Sequence, residues 1–352
     1  MKPTFDDCLR DLVNRFDDTQ EQQNRTAWQA FLDGAIETDV FIPPSRRPAP
    51  PRVTWPTIHI NDAQDDYELM LWDQFRTVSD LLAAGGVTRP AVRCNYGTGI
   101  LPSLFGCQPF RMPRETNTLP SSTNLGSREK VQAAIAAGPP DLHTGIGEKV
   151  FQCAARFQEV WKRYPQLAKY ITAYHPDLQG PLDAAEIISG SELYLAFVEE
   201  PEFVRALLDR VTETYRRFMH EWNRYLPQSP TAAVHWGWMQ TGLLVLRNDS
   251  LVNISTAFYE EFVRPCDEKL LAEFGGGVIH ACGRMDHCIA ALSRTRGLTG
   301  VNLTQPELNQ METVYQHTVD RGIKIFSLSW PAVVAARATN RPLHGRVYAH
   351  PA

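Results

Sequence analysis

The strongest constraint on the fold is the alternation of short apolar segments with longer amphipathic ones from about residue 90 onward. The apolar segments have the length and composition of β-strands, and the amphipathic ones have helical spacing. Strands that are apolar along their whole length must be buried on both faces, which is typical of a parallel sheet covered by helices. The sequence therefore predicts an α/β fold with strands at 91–97, 169–177, 231–239, 275–283, 298–305, 323–329 and 345–350.

Two architectures satisfy this alternation, a closed eight-stranded barrel and an open doubly wound sheet. No glycine-rich phosphate-binding fingerprint follows any of the predicted strands. The seven strands, with a weaker eighth candidate within 107–119, agree better with a (β/α)8 TIM barrel. Helices are expected near 127–137, 147–162, 182–196, 201–225, 255–274, 285–295, 306–322 and 331–338.

The N-terminal part of the chain has a different character. Residues 1–40 have the spacing of one or two helices, and residues 42–56 contain six prolines. That density of proline excludes a helix or a central strand and predicts an extended segment. We therefore expect residues 1–64 to form a helical and proline-rich extension packed on the barrel, and residues 65–352 to form the barrel itself.

Composition excludes several classes of protein. The 352 residues include 35 Lys and Arg against 40 Asp and Glu, a net charge of −5, which argues against nucleic-acid binding. No apolar run reaches the length of about 18 residues that predicts a membrane span. The acidic N-terminus lacks the apolar stretch of a secretory signal, and seven widely spaced cysteines do not indicate a disulfide framework. We expect a cytoplasmic protein that does not bind membranes.

A barrel carries its active site at the C-terminal ends of its strands, so the residues at those ends are the candidates. They are rich in potential ligands, donors and proton carriers: Arg93, Cys94, Asn95, Tyr96, His175, Asp177, Gln179, His235, His280, Cys282, Asn302, Gln305, Ser327, Ser329, Tyr348 and His350. Of these, Cys94, Asp177, His235, Cys282 and Asn302 are expected to open onto one pocket.

The most specific of these patterns is His280-Ala281-Cys282 at the end of a predicted strand. Residues i and i+2 of a strand point to the same face, so the imidazole and the thiol can approach one zinc ion. Zinc needs a third and usually a fourth ligand, for which Glu307, Cys94, His235 and Asp177 are candidates. The alternative is a buried His–Cys pair without a metal.

Three further residues have both a structural and a functional interpretation. Asp177 precedes a Gly-Pro turn, so it is either a turn residue or a carboxylate facing a metal or a cationic substrate. His235 stands between apolar and Trp residues, as a core histidine or as an acid/base residue. Asp249 precedes a helix, where helix capping explains it as well as function does.

Three segments of the chain resemble the uroporphyrinogen decarboxylase superfamily, which includes corrinoid-dependent and cobalamin-independent methyltransferases. They are residues 174–211, with the turn DLQGP, residues 246–277, and residues 278–309, with VIHACG and GVNLTQPELN. In the methyltransferase branch an Asp and a helix containing Phe-Val-x-Pro precede the metal-binding strand, and Pro265 of FVRPCDEKLL fits this pattern. The resemblance covers roughly residues 65–350.

The two branches of this family imply different chemistry. The methyltransferases hold zinc with His-x-Cys and a later Cys, and His280 and Cys282 match the first two. The later position holds Ser327 or Ser329 here, and a glutamate found in some members aligns near Thr304, three residues before Glu307. The decarboxylase uses no cofactor and grips an anionic tetrapyrrole with tandem arginines and an Asp. Of those arginines, only Arg93 has a counterpart here.

The resemblance thus implies a zinc-assisted methyltransferase that acts between a corrinoid or small methyl donor and a thiol. One alternative is a metal-free decarboxylase of uroporphyrinogen III or a related acid, with Arg93 and Asp177 binding the substrate. Another is a non-catalytic corrinoid- or tetrapyrrole-binding protein. The expected partners are a small-molecule substrate and a corrinoid protein. The predicted site comprises catalytic Asp177, His235 and Asp249, substrate-binding Arg93, Tyr96, Gln179, Asn302 and Gln305, and metal-binding His280, Cys282 and Glu307.

Overall fold

The computed structural model describes residues 3–349, and a parallel sheet of five strands lies at its centre. His350, the last residue of a predicted strand, lies outside the described residues. The strands are β1 (Ala91–Val92), β2 (Pro109–Phe110), β3 (Ser121–Ser122), β4 (Thr172–Ala173), β5 (Ala233–His235), β6 (Trp238–Gln240), β7 (Leu244–Arg247), β8 (Gly277–Ala281), β9 (Leu298–Leu303), β10 (Lys324–Leu328) and β11 (Val347–Ala349).

Helices separate most of these strands, as the amphipathic segments predict. They are α1 (Phe5–Val13), α2 (Asp18–Leu32), α3 (Ile60–Ala63), α4 (Tyr67–Ala84), α5 (Ile100–Leu104), α6 (Arg128–Ala136), α7 (Gly145–Arg163), α8 (Pro165–Tyr170), α9 (Pro181–Ser189), α10 (Leu193–Glu199), α11 (Pro201–Tyr225), α12 (Thr256–Phe258), α13 (Arg264–Glu273), α14 (Ile289–Leu292), α15 (Met311–His317) and α16 (Trp330–Ala338). Within residues 3–349, no helix is both long enough and apolar enough to cross a membrane.

The central sheet has the order β11-β10-β9-β8-β7, and every neighbouring pair is parallel. Single parallel bridges extend it on both sides, between Gln179 and Arg247 beyond β7 and between Phe41 and Tyr348 beyond β11. Strands β1 and β4 form a separate parallel pair. The α/β class with a parallel sheet is confirmed. Because the strand pairing described within residues 3–349 does not form a closed ring, the eight-stranded barrel stays a prediction.

One predicted strand is wrong in its topology. Residues 231–239 do not form a parallel strand, because β5 and β6 pair as an antiparallel hairpin. The chain reverses at Trp236 and Gly237, whose φ angles of 44° and 83° are those of a tight hairpin turn. The parallel strand of this region is β7, which was not predicted from the sequence. Its first three residues continue an apolar run that begins at Leu243, and its last residue is Arg247.

Other predicted elements exist but have different bounds. The eighth strand predicted within 107–119 is only the two-residue strand β2, and β2 pairs antiparallel with β3 rather than with the central sheet. The helix expected over 255–274 is divided by a π-helical turn, Tyr259–Val263, just before Pro265. Proline lacks the N–H that would continue the helical hydrogen bonds, which explains the change of winding at this point.

The N-terminal helices pack against one end of the sheet. Trp28 of α2 contacts Phe41 and Tyr348 with ring centroids 5.0 and 4.7 Å apart, and Phe31 stacks on Phe41 at 4.6 Å. A buried ion pair between Arg46 and Glu21 holds the proline-rich segment to α2. These contacts bring the extended segment alongside β11.

Candidate metal and substrate site

Three potential metal ligands meet where two neighbouring strands end. His280 and Cys282 lie at the end of β8, and Asp249 follows β7, whose Arg247 is the register partner of His280. Their ligand atoms all lie within 4.8 Å of one another. His280 Nε2 is 3.5 Å from Cys282 Sγ and 3.4 Å from Asp249 Oδ1. The backbone N–H of Cys282 also donates to Asp249 Oδ1 at 2.6 Å, which holds the carboxylate beside the strand end.

The proton on His280 is placed by Asn302, on the next strand of the sheet. Asn302 Nδ2 donates to the carbonyl of Phe326 at 2.7 Å, so the amide oxygen of Asn302 faces His280 Nδ1 at 2.6 Å. An oxygen there accepts a hydrogen bond, and Nδ1 must therefore carry the proton. The lone pair of Nε2 then faces Cys282 and Asp249, as a metal ligand requires.

Burial sets the protonation of His280 and Cys282. It lowers the pKa of His280, although the charge of Asp249 and the hydrogen bond to Asn302 act in the opposite direction. It raises the pKa of the Cys282 thiol, which Asp249 raises further, while a hydrogen bond with Thr304 opposes both. At neutral pH, therefore, the imidazole is neutral and the thiol keeps its proton until a cation binds.

A nitrogen, a sulfur and a carboxylate oxygen form a donor set that suits zinc. Cys282 is exposed, whereas the other six cysteines are buried, so this thiol is the accessible one. The lone pair of His280 Nε2, which faces Cys282 and Asp249, and the proximity of the three ligand atoms fit a metal ion. A site with three protein ligands leaves a position for a substrate atom, as in catalytic zinc sites.

Asp183 of α9 supports the loop that carries Asp249, the third candidate ligand. Its two carboxylate oxygens accept the backbone N–H groups of Asp249 and Ser250 at 2.9 and 2.8 Å. Burial, together with the nearby charge of Asp249, raises the pKa of Asp183 to about 7. Asp183 was not predicted as a site residue. Its position inside the apolar helix segment PLDAAEII could have indicated a buried carboxylate with a specific role.

A second polar cluster lies beside the ligands and contains Arg93, Asp177 and Arg247. One carboxylate oxygen of Asp177 accepts a hydrogen bond from Arg93, and the other accepts one from Arg247. Although burial raises the pKa of Asp177, the charges of the two guanidinium groups hold it below its usual value. Arg247 is a functional candidate that was not among the site residues predicted from the sequence.

His235 borders this second cluster. It is fully buried, and its Nε2 lies 3.5 Å from Arg247 Nη2, whereas its Nδ1 has no hydrogen-bond partner among the described residues. Its ring packs on His175 at 4.4 Å. Burial, His175 and Arg247 all lower the pKa of His235, and burial is also the main cause that lowers the pKa of His175 to about 4. Both histidines are therefore neutral at neutral pH.

Trp236 connects the two clusters. Its ring lies 4.9 Å from the His280 ring and 4.4 Å from the guanidinium carbon of Arg247. The positive φ of Trp236 is uncommon for so bulky a residue, and the indole lies against both His280 and Arg247. The hairpin of β5 and β6 thus forms a wall shared by both clusters.

Two predicted substrate-binding residues lie close to the candidate ligands through backbone contacts. Gln305 accepts the backbone N–H of Gly283 through Oε1 at 2.7 Å, which ties the loop after β9 to the loop after β8. Gln179 is buried and forms the parallel bridge to Arg247. These contacts place both residues around the strand ends.

Three other candidates lie elsewhere. Cys94 is fully buried and its Sγ donates to the carbonyl of Val150, while Tyr96 is buried in the same hydrophobic core. The expectation that Cys94 opens onto the pocket is therefore wrong, because its strand end turns into the core. Glu307 is exposed on a short 3-10 turn and is not among the three residues whose ligand atoms meet.

Comparison with known proteins relates the chain to one fold. No protein-family model matches the sequence, and no curated protein matches it. Among solved structures, a methyltransferase from Methanosarcina mazei superposes with a TM-score of 0.59 at 15% sequence identity, over 93% of this chain and 92% of that one. At this identity the likeness establishes a shared fold, which extends over nearly the whole of both chains.

Proposed function

We propose that the chain is a zinc-dependent methyltransferase that moves a methyl group from a corrinoid or a small methyl donor to a thiol. The observation that carries this proposal is the meeting of Asp249, His280 and Cys282, with His280 held in the ligating tautomer by Asn302. The shared fold with a methyltransferase supports the same reaction class. We expect Asp249, rather than Glu307, to be the third protein ligand.

Zinc, when bound, would lower the pKa of a substrate thiol so that the thiolate is available at neutral pH. In the transfer the thiolate sulfur forms a bond to the methyl carbon, and the bond between that carbon and the donor breaks with its electron pair staying on the donor. The thiol proton leaves to solvent before this step. Asn302 holds the imidazole of His280 and Asp183 holds the backbone of Asp249 throughout, while Trp236 packs against the imidazole.

The contact between Arg93 and Asp177 is the observation that favours the first alternative, a metal-free decarboxylase of uroporphyrinogen III or a related acid. In that reaction these two residues would bind the substrate. A non-catalytic corrinoid- or tetrapyrrole-binding protein is the second alternative. The leading proposal requires a small-molecule thiol and, where the methyl donor is a corrinoid, a corrinoid protein as partner. We also propose that the enzyme acts in the cytoplasm.

Metal analysis of the purified protein tests the proposal. We expect close to one zinc ion per chain after growth with zinc, and a thiolate-to-metal charge-transfer band after cobalt replaces the zinc. Cys282→Ala should lose the band and most of the metal, since each missing ligand weakens a small site severely. The matched control is Glu307→Ala, which removes an exposed carboxylate outside the ligand group and should keep both.

The activity measured alongside is methyl transfer from methylcobalamin to a thiol, and Cys282→Ala should abolish it. A correctly folded wild-type protein without metal would exclude the mechanism proposed here. Release of carbon dioxide from uroporphyrinogen III by that protein would then support the decarboxylase. Retention of a corrinoid or tetrapyrrole without turnover would support the binding protein.

A further inference from the structure

We propose that a groove between α15 and α16 binds a small organic cation, a protonated amine on an apolar body, at a site separate from the metal ligands. Neither the metal nor the proposed methyl transfer requires this second ligand, so the inference goes beyond the proposed function. The observations that carry it are the size and walls of the groove, two hydroxyl groups without partners, and an excess of carboxylates.

The groove has the size and the walls of a small-molecule site. Its volume is about 480 Å³, and ligand sites typically have about 300–1,000 Å³ with mostly apolar walls. None of the three candidate metal ligands lines it. The apolar walls comprise Met311, Pro331, Ala332, Ala335 and Ala336. The three alanines stand at positions i, i+3 and i+4 of α16, so they share one face of the helix, and their small side chains leave room beside it.

Two hydroxyl groups of residues that line the groove have no partner among the described residues. Tyr315 of α15 is 3% exposed, and its Oη is buried without a hydrogen bond. Ser329 is the N-cap residue of α16, but its side chain makes no capping hydrogen bond. A buried hydroxyl without a partner is unfavourable, and a ligand that supplies a hydrogen bond would relieve it.

Carboxylates set the charge of the groove. Glu307 is exposed and makes no ion pair or side-chain hydrogen bond within residues 3–349. Arg341, the basic residue of the lining, is shared by Glu312 and Asp320, at 3.2 and 2.8 Å. Three carboxylates against one guanidinium leave two negative charges in excess. His344 lies 3.6 Å from Asp320 and, when protonated, still leaves one. This balance favours a cation over an anion.

The start of α16 does not offset this preference. Pro331 has no N–H to offer. The N–H groups of Ala332 and Val333 already donate to the carbonyl of Ser329, at 3.1 and 3.2 Å. An anion would therefore find few free donors in the first turn of the helix. A protonated amine fits better, because its N–H groups are donors, and the carboxylate of Glu307 and the two free hydroxyls accept hydrogen bonds.

The inference gives a role to two strand-end residues that the candidate metal site does not use. Glu307 is a predicted metal ligand, but it lies outside the group of three residues whose ligand atoms meet. Ser329, directly after β10, is another of the predicted strand-end candidates. Both line the groove. We therefore assign these two polar side chains to the second site.

The test measures the binding of 2-phenylethylamine and its neutral analogue 2-phenylethanol to the zinc-loaded protein, by ligand-observed NMR titration at low ionic strength. We expect saturable binding of the amine, binding of the alcohol that is about tenfold weaker, and weaker binding of the amine as salt rises. Glu307→Gln and Tyr315→Phe should each weaken amine binding about threefold, the effect of one modest polar contact.

A substitution that fills the groove tests its location. Ala335→Leu adds bulk to the exposed alanine face and should abolish amine binding. The matched control is Val334→Leu, which changes the neighbouring exposed residue outside the lining and should leave amine binding unchanged. Circular dichroism and the unfolding midpoint show that both variants are folded. Retained amine affinity in folded Ala335→Leu protein would overturn the location.

No binding of the amine by the wild type, or equal binding of the amine and the alcohol, would overturn the proposal without any variant. Unchanged amine affinity in both Glu307→Gln and Tyr315→Phe would do the same. Cys282→Ala separates this site from the proposed function, because it should lose the metal and bind the amine as the wild type does. Loss of amine binding in that variant would place the amine at the metal ligands and overturn the inference. Amine binding by a wild type that takes up no zinc would preserve it and refute the proposed function.

Discussion

At the scale of single residues, the candidate metal site depends on which nitrogen of His280 carries the proton. Asn302 decides this, since its amide nitrogen is engaged by Phe326 and only its oxygen faces the imidazole. Asn302 is predicted to bind substrate, and its hydrogen bonds place it behind the candidate ligand His280, where we propose a positioning role. Asp183 supports Asp249 in a similar way, because its carboxylate accepts the backbone N–H of Asp249.

We expect Asn302→Leu to weaken zinc binding roughly 10- to 100-fold, the usual effect of losing a hydrogen-bond partner behind a ligating histidine. The leucine leaves the Nδ1–H of His280 unpaired, so the imidazole is no longer held with Nε2 towards the site. Competition with a chelator of known affinity measures the change. Asn302→Asp retains an acceptor for Nδ1–H and should lose much less. Equal affinities for the leucine variant and the wild type would show that Asn302 does not orient His280.

At the scale of elements, the hairpin of β5 and β6 builds the wall of the site through its turn. The turn requires positive φ angles, and Gly237 lies so close to another segment that a Cβ there would come within 2.3 Å of Thr88 Cγ2. Only glycine fits this combination of conformation and space. The hairpin is therefore held against the segment before β1, which in turn holds Trp236 over His280 and Arg247.

Gly237→Ala should lower the free energy of unfolding by about 2–4 kcal/mol, through the strained φ angle and the contact with Thr88 together. Gly322→Ala isolates the first effect, because Gly322 has a φ of +85° and no atom within 4 Å of an added Cβ. This control should cost only about 1 kcal/mol. Urea unfolding of both variants measures the difference. Equal losses would mean that the neighbouring segment moves aside and that the hairpin is not fixed by this contact.

At the scale of the whole molecule, a buried carboxyl on α13 couples folding to pH. Asp267 of α13 is fully buried and accepts a hydrogen bond from Asn248 Nδ2 at 2.8 Å. Burial raises its pKa to about 8. In the unfolded chain the same group has a pKa of about 4, so between these values only the folded protein holds the proton. Folding then takes up a proton, and stability must fall as pH rises towards 8.

Asp267→Asn removes this titration while keeping the size of the side chain. Between about pH 6.5 and pH 8, the wild type should lose about 1–2 kcal/mol more unfolding free energy than the variant does. His175, whose pKa is lowered to about 4, makes stability rise with pH only below about 6.5, so it does not disturb this window. Urea unfolding at the two pH values gives the comparison. Parallel losses in both proteins would show that Asp267 is ionised in the folded state.

The alternation of apolar and amphipathic segments was sufficient to predict an α/β fold with a parallel sheet, because the period of the side chains is a local property of the chain. Helix α11 has the same bounds, residues 201–225, in the sequence pattern and in the structure. The approach of His280 and Cys282 is also local, since residues i and i+2 of a strand share a face. The periodicity of side chains does not show the direction in which a strand pairs, because that direction depends on the partner strand. The antiparallel hairpin of β5 and β6 was therefore wrongly predicted as one parallel strand.

Tertiary structure alone decided how the rest of the site is assembled. Asp249 reaches His280 because β7 and β8 pair in a register that aligns Arg247 with His280, and no spacing along the sequence encodes that register. The sharing of Asp177 between two arginines likewise joins positions 84 and 70 residues apart. Cys94 looks like a ligand in the sequence and lies in the core, because the direction of a side chain after a two-residue strand is set by packing and not by period.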